Sequence, residues 1–209
     1  MTQAIGIPST GRFRLGVLGG SFDPIHKGHL TAAAQVAKAL DLDRVLFVPA
    51  GNQWQKTQSA EKAPTSAEHR LEMTRLAIAG NPLFGISSID VDRGGPTYSV
   101  DTLTELTKLY PNVELFFILG VDALAGIESW KDFEKLFELA TFVAVSRPGS
   151  NFQVPDKYAD RIRKISIDAL DISSTSIRDL ASAGKGLEST VPAGVITYIK
   201  ENNLYKEAE

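Results

Sequence analysis

The chain has 209 residues, of which 43% are hydrophobic, 22% charged and 8% aromatic. This is the composition of one folded globular domain, and it excludes a wholly disordered, collagen-like or coiled-coil chain. The formal net charge of −3 disfavours nucleic acid as a partner bound through a general positive field. Because the sequence contains no cysteine, it also excludes disulfides, thiolate nucleophiles and cysteine-bound zinc, which fits a reducing compartment.

Short runs of Val, Ile, Leu and Phe alternate with longer amphipathic runs along the chain. This alternation is typical of parallel strands that are buried on both faces and connected by crossover helices. The expected fold is therefore α/β, a single-domain, Rossmann-like, doubly wound and mainly parallel sheet flanked by helices. In chain order the pattern predicts strands at 14–19, 44–48, 84–89, 114–118, 141–145 and 163–167, and helices at 28–40, 67–79, 99–109, 131–138, 175–183 and 191–202.

Residues 1–13 are rich in small and turn-forming residues and lack the apolar core of a secretory signal. We expect them to form a flexible leader before one domain at 14–209. The most apolar stretch, 113–127, is interrupted by Glu114 and Asp122 and is shorter than the ~20 apolar residues of a membrane-spanning helix. The sequence thus predicts a cytoplasmic protein with no membrane partner, and it leaves open whether the chain forms a homo-oligomer.

The loop that follows the first predicted strand, 19–30, is the most distinctive segment. In a parallel sheet ligands bind beyond the carboxyl ends of the strands, yet this loop has neither the G-x-G-x-x-G nor the P-loop motif. It begins with a glycine pair, and Asp23-Pro24 is the predicted cap and first turn of the next helix. His26, Lys27 and His29 follow at the helix N-terminus, where they would bind an anion, with phosphate as the obvious candidate.

Other interpretations of the two histidines are that they satisfy buried carbonyl groups or that they bind a metal. Metal binding would need a further ligand, and only His69 lies outside the loop. The paired spacing beside two glycines and a lysine favours the anion site over both alternatives. We expect Asp23 to act as a structural cap rather than in association with a metal.

The segment 172–178, Ile-Ser-Ser-Thr-Ser-Ile-Arg, predicts the start of another helix. Ser176 and Asp179 have the spacing of a capping box, so one interpretation is simply a well-capped helix. A hydroxyl-rich helix N-terminus with Arg178 one turn in would equally hold a polyphosphate, through backbone N–H groups, hydroxyls and a forked cation. By itself the segment leaves both interpretations open.

Together the two segments carry a family resemblance. Residues 19–30 resemble the G-x-F-D-P-x-H-x-G-H motif of the nucleotidyltransferase superfamily, and 172–178 resemble its I-S-S-T-x-I-R motif. Within the superfamily the chain is most similar to the bacterial nicotinate-nucleotide adenylyltransferases. The segment 94–103 resembles the P-S-Y-T-x-x-T-L stretch of that family, 120–124 resembles its G-x-D-x-L loop, and Trp130 falls at the family's pyridine-stacking tryptophan, although Trp130 alone would more readily be a core residue.

The resemblance implies transfer of the adenylyl group of ATP to nicotinate mononucleotide, which gives deamido-NAD and pyrophosphate in NAD biosynthesis. It implies catalytic roles for His26, His29 and Arg178. It implies ATP contacts from Gly19, Gly20, Ser21, Phe22, His26, His29, Gly120, Asp122, Ser173, Ser174, Thr175 and Arg178. It implies nicotinate mononucleotide contacts from Lys56, Tyr98, Ser99 and Trp130. Mg²⁺ would accompany ATP, with protein ligands that the sequence does not identify.

The chain departs from the family pattern in two places. Ser21 replaces a common threonine and keeps its hydroxyl, whereas Gln53-Trp54-Gln55-Lys56 replaces the frequent P-P-H-K, so that only the lysine can be carried over. Trp54 could pack as a lid or anchor its loop, and the composition of 50–66 makes closure on substrate plausible. Phosphopantetheine adenylyltransferase activity, a preference for nicotinamide mononucleotide and a non-catalytic nucleotide sensor are the competing hypotheses.

Overall fold

Six parallel strands form one sheet in the order β3-β2-β1-β4-β5-β6. The protein is described by a computed structural model that covers residues 12–52, 64–146, 154, 156–168 and 171–206. The predicted α/β, doubly wound fold is confirmed, with every strand pair parallel. The strands are β1 (Phe13–Gly20), β2 (Arg44–Pro49), β3 (Phe84–Ile86), β4 (Val113–Gly120), β5 (Thr141–Ser146) and β6 (Ile162–Ser166).

Within the described residues the six predicted helices are also present, and two short α-helices were missed. The missed helices α3 and α5 each span a single turn and carry no amphipathic repeat of their own. The helices are α1 (Lys27–Ala39), α2 (Ala67–Ile78), α3 (Ile89–Arg93), α4 (Ser99–Leu109), α5 (Val121–Leu124), α6 (Phe133–Leu139), α7 (Ser174–Ser182) and α8 (Ala193–Glu201). In the described part of the chain, no helix is both long and apolar enough to cross a membrane.

The prediction of a strand over 84–89 is wrong at its carboxyl end. β3 stops at Ile86, and α3 begins three residues later. Two buried serines cause the break: the Ser87 hydroxyl accepts the backbone N–H of Ile89 at 3.3 Å, and the Ser88 hydroxyl donates to Asp92 at 2.7 Å. Such local side-chain bonds compete with the strand ladder, and they leave no trace in hydrophobic periodicity.

Helices cover both faces of the sheet, as alternation along the strands requires. In β4, for example, Phe116 and Ile118 pack into one core cluster and Phe117 into the other. The first cluster contains residues of α1, α2, α7 and α8, and the second contains residues of α4 and α6. The sheet is thereby buried on both sides, so that its ligand-binding surface is limited to the strand ends.

The strand order reverses direction between β1 and β4, which are neighbours at the centre of the sheet. Their ladder runs from Phe13 opposite Val113 to Leu18 opposite Ile118, so both strands end near the same level. A crevice opens at such a switch point, outside the carboxyl ends of the strands. β1 begins one residue before the predicted domain start at 14, and the predicted leader otherwise lies almost wholly outside the described residues.

Candidate active site

A cleft of about 630 Å³ lies at the carboxyl ends of the central strands. Its walls come from the loops after β1, β2 and β4, together with the segment before α4 and the ends of β5 and β6. The predicted site residues that line it are Gly19, Gly20, Ser21, His26, His29, Ser99, Gly120, Asp122 and Trp130. Those outside its lining are Phe22, Tyr98, Ser173, Ser174, Thr175 and Arg178. Lys56 and Trp54 lie outside the described residues.

The two histidines of the first loop form a stacked pair at the start of α1. Their ring centroids are 3.7 Å apart with an interplanar angle of 25°, so the predicted common face is confirmed. The backbone N–H of His26 donates to His29 Nδ1 at 3.3 Å, which in the neutral ring places the proton of His29 on Nε2. Phe22 is buried beneath them and meets the His29 ring edge-on at 5.1 Å between centroids.

The prediction that Asp23 caps this helix is wrong. His26 is the N-cap, and the carboxylate of Asp23 accepts the backbone N–H of Thr65 at 3.1 Å and the hydroxyl of Tyr205 at 2.7 Å. The chain turns through Pro24 and the buried Ile25 before the helix begins, which carries Asp23 away from the helix axis. Both carboxylate oxygens therefore serve to join the first loop to two distant segments.

Lys27 points away from the cleft. Its ammonium group donates to the carbonyl oxygen of Glu188 at 2.8 Å, and its backbone N–H donates to that of Thr190 at 2.9 Å. Of the three side chains expected to bind an anion at this helix N-terminus, only His26 and His29 therefore line the cleft. Among the described residues, no group of three or more His, Asp or Glu side chains could hold a metal ion.

Burial determines the charge of His26. The residue is only 7% exposed, and its Nδ1 atom is buried with no hydrogen-bond partner in the described structure. This desolvation lowers the pKa of His26 to about 4, because removal from water disfavours the protonated form. At neutral pH His26 is an uncharged imidazole that can donate one N–H.

This buried imidazole predicts a pH dependence of stability. The unfolded chain protonates His26 near pH 6.5 and the folded chain only near pH 4, so the unfolded state binds more protons between these values. We expect the free energy of unfolding to fall by up to about 3 kcal/mol from this group as the pH drops from 6.5 to 4. Urea unfolding of the wild type and of His26→Gln at pH 7 and pH 4.5 measures how much the free energy of unfolding changes with pH in each protein.

His69→Gln is the matched control for that measurement. His69 lies on α2, where its Nδ1 is 2.9 Å from the hydroxyl oxygen of Tyr198, outside the cleft lining. The control should keep the wild-type dependence on pH. Equal pH dependence in the wild type and His26→Gln would contradict the burial of a neutral imidazole at this position.

The second motif forms the N-terminus of α7 and packs against the first loop. Ser173, not Ser176, is the N-cap: its hydroxyl accepts the backbone N–H of Ser176 at 3.0 Å, so the predicted capping box of Ser176 and Asp179 is wrong by three residues. The hydroxyl of Ser174 donates to the carbonyl oxygen of Pro24 at 3.0 Å. Two segments that lie 150 residues apart in the chain are therefore in direct contact.

Arg178 joins the same contact. Its Nη1 donates to the carbonyl oxygen of Asp23 at 2.9 Å, and its Nη2 donates to the hydroxyl of Thr175 at 3.2 Å. The arginine therefore lies beside the loop that carries the paired histidines rather than in the cleft wall itself.

A second part of the cleft, here called its aromatic end, carries aromatic side chains. Trp130 lines it and meets the buried Phe117 edge-on, with 6.4 Å between ring centroids. Tyr98 precedes α4 as its N-cap and packs against the adjacent core cluster, with the Lys131 ammonium 4.6 Å from its ring centroid. Of the predicted Tyr98-Ser99 pair, only Ser99 reaches the cleft wall.

A buried polar group that the sequence pattern did not predict also lies at this end. Asp90 is 4% exposed and lines the cleft, and its Oδ1 accepts the Thr102 hydroxyl at 2.6 Å and Arg93 Nη2 at 2.9 Å. Burial raises the pKa of Asp90, while Thr102 and Arg93 oppose that shift. The carboxylate falls at the strand-to-helix break that periodicity did not predict, which is why no pattern drew attention to it.

Comparison with known proteins assigns the chain to a family. The family model described as cytidylyltransferase-like matches residues 17–180, which is most of the chain. The chain is 50% identical over 195 residues to a probable nicotinate-nucleotide adenylyltransferase of Leifsonia xyli subsp. xyli, covering 93% of this chain and 95% of that protein. The chain is a nucleotidyltransferase of the nicotinate-nucleotide adenylyltransferase family.

A second member of the adenylyltransferase family, from Corynebacterium glutamicum and also named probable nicotinate-nucleotide adenylyltransferase, is 48% identical over 198 residues, covering 93% of this chain and 89% of that protein. Among solved structures, Plasmodium falciparum nicotinic acid mononucleotide adenylyltransferase complexed with NaAD matches with a TM-score of 0.75 at 22% identity. That match covers 92% of this chain and 97% of the other, and it shows that the two share a fold.

Proposed function

We propose that the protein transfers the adenylyl group of ATP to nicotinate mononucleotide, giving deamido-NAD and pyrophosphate. The observation that carries this proposal is one cleft that contains the stacked His26 and His29 pair, Asp122 and Trp130. Relatives that are 48% and 50% identical over most of their length bear the name of this activity. We place the reaction in the cytoplasm, in keeping with the absence of cysteine.

The proposed chemistry is a direct displacement at the α-phosphate, without a covalent enzyme intermediate. An oxygen of the mononucleotide phosphate forms the new bond to the α-phosphorus, and the bond to the bridging oxygen breaks so that pyrophosphate leaves with the electron pair. The nucleophile is already ionised at neutral pH, so no strong general base is needed. Catalysis then consists of aligning two anions and stabilising charge on the transferring and leaving phosphates.

His29 is the proposed donor to the α-phosphate. Its Nδ1 accepts the backbone N–H of His26, and this bond orients the ring with a proton on Nε2. His26, held neutral by burial, would contribute to the adjacent phosphate. Backbone groups of Gly19, Gly20, Ser21 and Phe22 would surround the same phosphates, since glycines permit close approach of the backbone.

The β- and γ-phosphates would lie against α7. Arg178 and the backbone N–H groups near Ser174 and Thr175 would bind them, with Ser173 at the N-cap, because a helix N-terminus favours anions. The triphosphate would carry Mg²⁺ into the cleft as part of the substrate. Mg²⁺ commonly binds through substrate phosphates and retained waters rather than a protein cage, which suits a cleft whose described residues form no metal cluster.

Gly120 and Asp122, directly after β4, would hold the ATP ribose. The acceptor would occupy the aromatic end, with its pyridine ring against Trp130 and near Tyr98 and Ser99. Its phosphate would be held by Lys56, which lies outside the described residues. Backbone N–H groups would bind the nicotinate carboxylate.

The test is pyrophosphate release from Mg-ATP, with nicotinate mononucleotide, nicotinamide mononucleotide and phosphopantetheine each supplied as the only acceptor. We expect release with nicotinate mononucleotide well above the other two. Faster release with another acceptor would reject the assigned substrate, and ATP binding without release with any acceptor would indicate a nucleotide sensor instead.

A further inference from the structure

Arg70 is a buried cation that the proposed chemistry does not use. It lies on the inner face of α2, is 2% exposed and is outside the cleft lining. Its guanidinium donates three hydrogen bonds: from Nε to Thr65 O at 3.0 Å, from Nη1 to Ser21 O at 2.8 Å and from Nη2 to Gly51 O at 2.7 Å. A fully buried arginine is rare in proteins, because its desolvation must be offset by partners.

The three carbonyl groups belong to three different segments. Ser21 directly follows β1, Gly51 follows β2 by two residues, and Thr65 precedes α2 by two. The ladder between β1 and β2 ends at Gly20, whose carbonyl accepts the N–H of Ala50 at 2.9 Å. Beyond that point the two strands offer each other no further ladder bonds, and the guanidinium supplies donors to both loops.

The position of Gly51 is restricted as well. A side chain there would collide with the backbone carbonyl of Asp90, so the β2 loop lies tightly against the strand-to-helix break at the aromatic end of the cleft. The next residue continues this contact, since Asn52 O accepts the backbone N–H of Thr97 at 3.0 Å. A displacement of Gly51 would therefore be transmitted to residues that line the acceptor end.

Asp23 and Arg70 are joined through Thr65, which bonds to both. The Asp23 carboxylate accepts the backbone N–H of Thr65 and the hydroxyl of Tyr205, and its own carbonyl accepts Arg178. Burial lowers the pKa of Arg70, and the negative charge of Asp23 is the largest influence that opposes this shift. The network connects the phosphate end of the cleft, through Arg70, with the loop at its acceptor end.

We propose that Arg70 is a positioning residue that holds both substrate loops, after β1 and after β2, in one fixed relation, so that ATP and the acceptor mononucleotide meet in line. This inference rests on the proposed function. The planar fork of a guanidinium can reach three carbonyls in different directions, whereas the single ammonium nitrogen of lysine cannot span them. Arg70 thus positions the two loops without contacting either substrate, because it lies outside the cleft lining.

The test compares Arg70→Lys with Arg75→Lys, a matched control. Arg75 lies on the same helix but is exposed and pairs with Glu72. We expect Arg70→Lys to raise KM for ATP and KM for nicotinate mononucleotide about tenfold each, the change that corresponds to about 1.4 kcal/mol. Arg75→Lys should change neither constant by more than about twofold, as expected for a surface pair.

A purely structural role would lower the amount of active protein and the melting temperature while leaving both KM values unchanged. That result would overturn the proposal, and so would a rise in only one of the two KM values. If Arg70→Lys fails to fold, Tyr205→Phe is the variant that tests the network. Loss of the hydroxyl bond to Asp23 should raise KM for ATP about threefold. An unchanged KM for ATP in Tyr205→Phe would then count against the network.

Calorimetric titration with Mg-ATP alone separates this inference from the proposed function. If the wild type binds Mg-ATP but releases no pyrophosphate, the proposed reaction fails, and weaker Mg-ATP binding by Arg70→Lys would still support the positioning role. If the wild type releases pyrophosphate, and Arg70→Lys and Tyr205→Phe both have wild-type KM values, the reaction stands and the positioning role is overturned.

Discussion

Replacement of His29 by alanine is expected to lower kcat for pyrophosphate release by about 10²–10³-fold, the range observed when one preorganised donor to a developing oxyanion is removed. The ring lies in the cleft wall, stacked on His26 and oriented by the bond from the His26 backbone to its Nδ1. Its removal would take away the proposed donor to the α-phosphate but would leave the acceptor end unchanged. Steady-state assays with saturating Mg-ATP and nicotinate mononucleotide measure the loss.

His69→Ala is the matched control for this variant. It removes an imidazole that contacts Tyr198 rather than the cleft, so it should retain kcat within about twofold. Circular dichroism and thermal melting should show that His29→Ala is folded. An active His29→Ala, or one that has lost its structure, would remove the support for a catalytic His29.

Arg178→Ala is expected to have an effect of similar size, about 10²–10³-fold in kcat/KM for ATP. The guanidinium lies between the Asp23 carbonyl and Thr175, at the N-terminus of α7, where the leaving pyrophosphate would carry its charge. Loss of the cation should weaken both the binding of the triphosphate and the stabilisation of the leaving group. KM for nicotinate mononucleotide should change much less, because the acceptor end of the cleft does not include Arg178.

One further variant separates the charge of Arg178 from its shape, and a second is a control at an exposed arginine. Arg178→Lys keeps the charge but loses the fork, and we expect it to restore only part of the activity. Arg163→Ala removes an exposed arginine of β6 and should have wild-type kinetics. If Arg178→Ala retained wild-type kcat/KM for ATP, the arginine would serve only to join α7 to the Asp23 carbonyl.

Much of the cleft could be predicted because its signals are local. The spacing of His26 and His29 places them one helical turn apart, and the glycine pair before them marks a close approach of the backbone. The order of apolar and amphipathic runs predicts the parallel sheet, and strands of a parallel sheet end at a common edge. Each of these signals depends only on a few residues that are close together in the sequence. The predictions drawn from them are therefore independent of how distant segments pack.

The errors share one cause, which is that the hydrogen-bond partner of a polar side chain, whether distant or local, cannot be read from the pattern of apolar residues. Asp23 has the composition and spacing of a helix cap but bonds to Thr65 and Tyr205 instead. Ser87 and Ser88 end β3 inside an apolar run by bonding to the following turn. Hydrophobic periodicity records where side chains are buried, and it does not record what a buried polar atom bonds to.

The sequence alone determined the fold class, through its periodicity, and it indicated the family through the resemblance that its two motifs carry. The tertiary structure alone decided that Ser174 and Arg178 contact the Pro24 segment, that Asp90 lines the cleft and that Arg70 bonds the carbonyl groups of Ser21, Gly51 and Thr65. In the sequence, Arg70 is one of many charged residues on an amphipathic helix. Its contacts follow from the sheet order, which places the ends of β1 and β2 side by side, so that the carbonyl groups of Ser21 and Gly51, just beyond the two strands, bond to one buried guanidinium.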